Sequence, residues 1–180
     1  EETMIEAIQN SCNYYFNEMG HRLSIDENGT YSSALGVEKI REYAAKFGLD
    51  STSGVEIPEV APHMTTEDPE RSAMGQATHA YNNVQLSRYV TAIANRGTVY
   101  NLSLIDKVTD SDGNLIEDYT PEVYSTIDVA DSSWDTVQAG MRRVITNTSL
   151  KRVYGDMEVA VAGKTGTAQE TSSHANHAFF

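Results

Sequence analysis

Residues 159–169, VAVAGKTGTAQ, decide how this chain is read. A short apolar run leads into Gly163-Lys164-Thr165. That is either the end of a phosphate-binding loop or a strand edge presenting an ammonium and two hydroxyls. A phosphate loop, G-x-x-x-x-G-K-[ST], needs its first glycine so that backbone amides can turn toward the anion. Counting back from Gly163, that position is Glu158, a carboxylate. A helix must also follow the lysine, with its N-terminus facing the phosphates. Residues 166–173 (GTAQETSS) carry no apolar helical face, so the nucleotide reading fails at both ends. As a strand over 159–167, Lys164 and Gly166 share one face, and Thr165 and Thr167 share the other. A strand glycine marks a place where a ligand or another backbone comes close. The set suits a carboxylate; on spacing alone, a plain edge strand with a solvated lysine fits equally well.

The rest of the chain narrows the class. It has 180 residues, 39% hydrophobic and 22% charged, enough for one domain with a real core. Thirteen Lys+Arg against 26 Asp+Glu give a net charge of -13, which would repel a phosphate backbone, so no nucleic-acid partner is expected. No apolar run is long enough to span a bilayer. Cys12 is the single cysteine, which excludes an internal disulfide. The chain opens at Glu1-Glu2-Thr3 and stops at Ala178-Phe179-Phe180 inside what reads as a strand, so an excerpt of a longer protein is expected.

Periodicity places the elements. Ile5, Ile8, Cys12, Tyr15, Phe16, Met19 and Leu23 fall at helical spacing, but Asn10, Ser11 and Asn13 are poor interior helix formers. Two helices meeting near Ser11 satisfy both observations. A helix is expected over 36–47, with Val37, Ile40, Ala44 and Phe47 on one face and Gly48 as its stop. Residues 51–80, with Pro58, Pro62 and Pro69, read as a long ordered excursion. Asn82 and Gln85 form a capping box for a helix through Leu86, Tyr89, Val90 and Ile93 that stops at Gly97. β-branched residues follow over 98–108, and Asp112-Gly113 supplies hairpin chemistry before Leu115-Ile116. The helix at 132–146 buries Trp134, Val137, Met141, Val144 and Ile145, with Ser132 and Asp135 able to cap it. The acidic residues over 106–118 read as a solvated hairpin, and Cys12 as a small buried hydrophobe. His174 and His177 are three apart in a segment without helical character, which does not suit metal ligands.

Lys164-Thr165-Gly166-Thr167 resembles the Lys-Thr-Gly element of the penicillin-recognising serine transpeptidases and β-lactamases. Ser11-Cys12-Asn13 is similar to that family's Ser-x-Asn and precedes the strand in the family's order. SAMGQ (72–76) and NNVQL with AIANRG (82–97) resemble the intervening stretch. There the family commonly has Gly-Gln-Gly and Thr-Pro-x-Gln; this chain has Ala77, Asn82 and Asn83 instead, departures that read as tolerable because Asn82 still caps. The details look most like the class B penicillin-binding proteins, of the elongation type.

The resemblance implies an α/β (α+β) fold of the penicillin-binding protein and serine β-lactamase type. Residues 1–180 would be a partial transpeptidase domain, truncated at both ends: a helical subdomain plus part of an antiparallel sheet. It implies peptidoglycan D,D-transpeptidation, in which a serine attacks the D-Ala-D-Ala stem peptide and passes the acyl group to an amine. Ser11 would shuttle a proton near the leaving group, Asn13 would donate to the substrate's amide carbonyl, and Lys164 would supply positive potential and a proton relay. Thr165 and Thr167 would hydrogen-bond the carboxylate, Gly166 would allow close approach, and the Thr167 amide would form half of an oxyanion hole. No cofactor and no metal are implied. Implied partners are peptidoglycan stem peptides, β-lactam antibiotics and cell-wall elongation or division proteins, at the extracytoplasmic face of a bacterial membrane reached through an N-terminal anchor outside this sequence.

One departure is large. The family's nucleophile lies in Ser-x-x-Lys, and no such motif occurs here; Thr148-Ser149-Leu150-Lys151 begins with threonine and falls after Ser-Cys-Asn, as a solvated helix end. The chain by itself is therefore expected to be inactive. A β-lactamase or β-lactam sensor of the same fold, or a non-catalytic scaffold that binds wall peptides, are the rival readings.

Overall fold

The computed structural model describes residues 2–168 and 175–180, so Gln169 and His174 of the motifs above lie outside the described residues. In chain order the elements are α1 (Met4–Asn10), α2 (Asn13–Leu23), α3 (Ser33–Lys46), α4 (Pro69–Ala73) and α5 (Asn83–Ala94). Four strands follow, β1 (Thr98–Asn101), β2 (Lys107–Thr109), β3 (Leu115–Asp118) and β4 (Glu122–Thr126). Then come α6 (Asp131–Thr146), α7 (Lys151–Tyr154), β5 (Gly166–Ala168) and β6 (His177–Phe179). They divide between two compact units, the second made of Arg41–Met64 and Ala80–Asp128.

In the first unit, the break near Ser11 is a helix end of defined chemistry. Cys12 N–H reaches the Ala7 carbonyl at 2.9 Å and Ser11 N–H the Ile8 carbonyl at 3.4 Å, with Ser11 left-handed at φ 52°, ψ 47°. This satisfies the Ala7 and Ile8 carbonyls in the last turn of α1 and lets α2 start two residues later. Cys12 is half-buried at that corner, not the buried residue expected, because it is the N-cap of α2. α1 packs on α6 through Gly140, where a Cβ would lie 2.8 Å from Ile8 Cβ. α2 meets α4 through Gly20, where a Cβ would lie 2.4 Å from the Pro69 carbonyl. Ala7, Ile8, Trp134, Val144 and Ile145 are buried, so three residues of the stripe expected on α6 are in the core, while Val137 and Met141 are only half-buried. Its cap is not the one expected: Ala130 is the N-cap, without a side-chain hydrogen bond.

α4 is a short helix inside the long excursion. Asp68 accepts from Arg71 N–H, and Pro69 sits at the first helical position, where its missing N–H is harmless. Its end repeats the corner at Ser11, with Gly75 at φ 84° in the left-handed place and Gln76 N–H on the Arg71 carbonyl at 3.0 Å. Ala77 follows at φ 79°, so alanine holds the backbone shape of the glycine it replaces in the resemblance.

The second unit takes in the last residues of α3, which starts three residues earlier than expected and stops at Gly48, φ 73°. The capping box of α5 is present: Asn82 accepts from Gln85 N–H at 2.9 Å, and Gln85 accepts from Asn82 N–H at 3.0 Å. Asn83 occupies the first helical position, the place of the family's proline. The buried face of α5 differs from the apolar stripe expected. Gln85 and Arg88 are buried with Ala92 and Ile93, whereas Val90 is 46% exposed. Arg88 reaches four acceptors: the carbonyls of Tyr100 (2.9 Å), Thr52 (3.0 Å) and Gly48 (3.4 Å), and Asn101 Oδ1 (3.3 Å). Its guanidinium also lies 4.1 Å from the centre of the Tyr124 ring. α5 stops at Arg96, φ 65°, one residue before Gly97. β1 pairs antiparallel with β4, and β2 with β3 in the exposed hairpin expected around Gly113.

The strand expected over 159–167 is mostly not one. Only Gly166–Ala168 joins a ladder, paired antiparallel with His177–Phe179. Val159 is 73% exposed, so the apolar run is not sandwiched in a sheet. Among the described residues no helix is long and apolar enough to cross a membrane, and no cluster of three His, Cys, Asp or Glu could hold a metal.

Candidate active site

The two motifs meet. Lys164 Nζ donates a short hydrogen bond to Ser11 Oγ across 153 residues of sequence. The same amine donates to the Thr165 carbonyl at 2.7 Å. α1 ends at the serine and residues 159–165 deliver the lysine, so both groups belong to the first unit. Asn13, the first residue of α2, is exposed two residues beyond Ser11.

The lysine is half-buried, and burial pushes its ammonium below the usual lysine range. Its two acceptors here, a hydroxyl and a carbonyl, are uncharged. An amine so placed polarises the hydroxyl and can pass a proton to it and back, which is acid–base chemistry without a histidine or a metal ion.

Thr165, Gly166 and Thr167 follow along an exposed edge. Gly166 lies opposite Phe179 and Thr167 opposite Ala178. A Cβ added at Gly166 would meet only Phe179 Cβ at 3.8 Å, an ordinary contact. Packing within the described residues therefore does not demand glycine there. Gly163 is the opposite case: a Cβ would lie 2.6 Å from Cζ of Phe180, whose ring stacks on Tyr154 at 4.9 Å.

Three participants were not assigned roles from sequence. Gln76 Nε2 donates to the Thr167 carbonyl at 3.4 Å, bringing the residue that follows Gly75 to the strand. Met141 accepts from Gly163 N–H at 3.2 Å, and the Arg142 guanidinium donates to the Val161 carbonyl. Gln76 stood in a quoted motif, so a signal existed. Met141 and Arg142 read as ordinary helix positions and gave none.

The penicillin binding protein transpeptidase domain model matches residues 1–179. Penicillin-binding protein 2A of Bacillus subtilis is 30% identical over 141 residues, covering 73% of this chain and 20% of that protein. Penicillin-binding protein 2B of Streptococcus pneumoniae is 25% identical over 187 residues, 93% of this chain and 27% of the relative. Peptidoglycan D,D-transpeptidase MrdA of Haemophilus influenzae is 23% identical over 193 residues, 97% of this chain and 27% of the relative. The chain thus spans 20% to 27% of the length of these relatives. Among solved structures, penicillin-binding protein 2B of S. pneumoniae strain R6 superposes with a TM-score of 0.76 at 21% identity, covering 97% of this chain and 31% of that one. PBPA of Mycobacterium tuberculosis gives 0.75 at 20% identity, covering 94% and 38%. The mixed helix and antiparallel-sheet fold is therefore the transpeptidase fold. With the family model running along nearly its whole length, this chain belongs to the penicillin-binding protein transpeptidase family.

Proposed function

We propose that the protein carrying this chain is a serine-type peptidoglycan D,D-transpeptidase of the elongation type, with residues 1–180 part of its transpeptidase domain. The observation that carries this reading is the hydrogen bond from Lys164 to Ser11, which joins the Lys-Thr-Gly and Ser-x-Asn elements at one point. The sequence holds no Ser-x-x-Lys, so the acyl-accepting serine comes from residues of the whole protein outside 1–180, and the chain alone is inactive.

The nucleophilic serine attacks the carbonyl between the two D-alanines, and the terminal D-alanine leaves as an amine. Ser11 passes a proton toward that leaving nitrogen, with Lys164 holding its hydroxyl and relaying the charge. Asn13 donates to the amide carbonyl of the stem peptide. Thr165 and Thr167 bind the terminal carboxylate, and the Thr167 amide stabilises the oxyanion. Gly166 leaves room for the peptide: among the described residues packing gives no other reason for its missing side chain. β-Lactams enter by the same acylation. The protein works at the extracytoplasmic face of the membrane, held by an anchor outside this chain, beside cell-wall elongation or division proteins.

The test is intact mass of the full-length protein after incubation with benzylpenicillin. A stable adduct is expected, lost slowly enough to separate a transpeptidase from a β-lactamase. Lys164→Met should slow its formation about a hundredfold. Gly166→Ala should slow it too while leaving the melting temperature unchanged. Absence of any adduct on folded protein would instead favour a non-catalytic scaffold.

A further inference from the structure

Three consecutive residues of α6 touch the two segments that carry Ser11 and Lys164. Gly140 lets α1 lie against α6, with Ile8 in the space a side chain would fill, and α1 ends at Ser11 three residues later. Met141 and Arg142 hold the other half: Gly163 N–H on the Met141 carbonyl, and the Val161 carbonyl on the Arg142 guanidinium. Residues 159–165 lie outside every ladder among the described residues, so these bonds do what strand pairing would do elsewhere. The Phe180 ring, stacked on Tyr154, closes the side of Gly163. Lys164 is the next residue along.

We propose that Arg142 is a positioning residue for Lys164: by fixing the Val161 carbonyl to the helix that also seats α1, it sets the amine against Ser11 Oγ. This rests on the reading of Lys164 as the site's lysine, and it gives α6 a part in the chemistry without contact with substrate. The helix is a rigid element buried through Trp134, Val144 and Ile145, so the geometry it imposes is stiff. Arginine suits the task because its planar fork keeps a donor fixed on one carbonyl, where a lysine stem would wander. The half-burial that lowers the Lys164 ammonium depends on the same docking, which gives the arrangement a readout apart from turnover.

The experiment uses the full-length protein with Arg142→Met, Arg142→Lys and Lys164→Met. Competitive labelling of Lys164 by acetic anhydride across pH, read by peptide mass, gives the midpoint of its titration. Penicillin acylation rate is the second readout, and the near-ultraviolet ellipticity of Trp134 reports the fold. Arg142→Met should move the labelling midpoint up toward that of a free lysine and slow acylation about tenfold, with the Trp134 signal kept. Arg142→Lys should fall between, and it decides by the same two readouts if Arg142→Met loses the Trp134 signal. An unmoved midpoint with parental acylation overturns the proposal. If that occurs while Lys164→Met is unreactive, only the role of Arg142 fails; if Lys164→Met acylates like the parent, the reading of the site itself fails.

Discussion

Replacing Arg88 by methionine keeps an unbranched stem of similar bulk and removes all the donors of the guanidinium from the interior of the second unit. The carbonyls of Tyr100 and Thr52 lose bonds of 2.9 and 3.0 Å, while the 3.4 Å contact to Gly48 is too long to count for much. Each orphaned acceptor costs about 1–3 kcal/mol, and loss of the contact over the Tyr124 ring adds ~1–2 kcal/mol. Against this, methionine spares the desolvation of a cation. Burial already pushes the Arg88 guanidinium below its usual range, which shows that this penalty is present. The balance is a loss of ~2–4 kcal/mol. Lysine keeps the charge but cannot span acceptors on three separate segments, so Arg88→Lys should lose ~1–3 kcal/mol. Amide exchange at Leu102 and Ile127, which bond to Ser53 and Gly97 within the same unit, is the local assay. Trp134 fluorescence in urea follows the first unit separately. Exchange free energies at both amides within ~0.5 kcal/mol of the parent would refute the reasoning, because they would mean the four acceptors are satisfied without the guanidinium.

Three further outcomes are expected. Gly140→Ala should destabilise the first unit by ~1–3 kcal/mol in a urea melt followed at Trp134, since its Cβ would meet Ile8; helix propensity alone predicts a gain of ~1 kcal/mol, so the sign decides. Ala77→Gly should leave the melt unchanged or raise stability by up to ~1 kcal/mol, because the backbone already holds a glycine conformation; a loss would show the alanine methyl packs usefully. For Lys164, the folded ammonium lies below its unfolded value of 10.5, so the unfolded chain binds more protons between the two values. Stability of the parent relative to Lys164→Met should therefore rise with pH across the window ending near 10.5, with the penalty fully present at neutral pH. Paired urea melts from neutral to alkaline pH check this, and a falling difference would mean that the lysine is stabilised as a cation.

The sequence was most legible where local chemistry and periodicity coincide. Asn82 and Gln85 cap α5 as their spacing predicts, and Asn10, Ser11 and Asn13 mark a corner because their side chains compete with helix hydrogen bonds. It misled where burial is polar. Gln85 and Arg88 are buried because their donors find carbonyls from distant segments, which hydropathy cannot register, and so hydropathy places the buried face of α5 too far toward Val90. Residues 159–165 look like a strand by composition, yet helix residues hold them, and no periodicity in 159–165 refers to Arg142. β4 also escaped notice, with Pro121 just before it and five residues to read. The hydrogen bond between Ser11 and Lys164 has no local signal, since nothing near Ser11 points to a lysine 153 positions away; only the resemblance set the two motifs side by side.

The corner at Ser11 sets two pressures against each other. Gly48 and Gly75 occupy the same left-handed place at the ends of α3 and α4, and there the missing side chain makes the turn easy. At position 11 the turn is the same but a hydroxyl is needed for Lys164, so the backbone holds a residue it would exchange for glycine with a gain of about 1 kcal/mol. Ser11→Gly is thus a substitution that selection for thermal robustness would favour and that would leave the lysine without its hydroxyl partner. A library of this protein enriched only for heat resistance would drift toward inactive chains at this one position, and requiring penicillin acylation in the same screen is what would hold the serine in place.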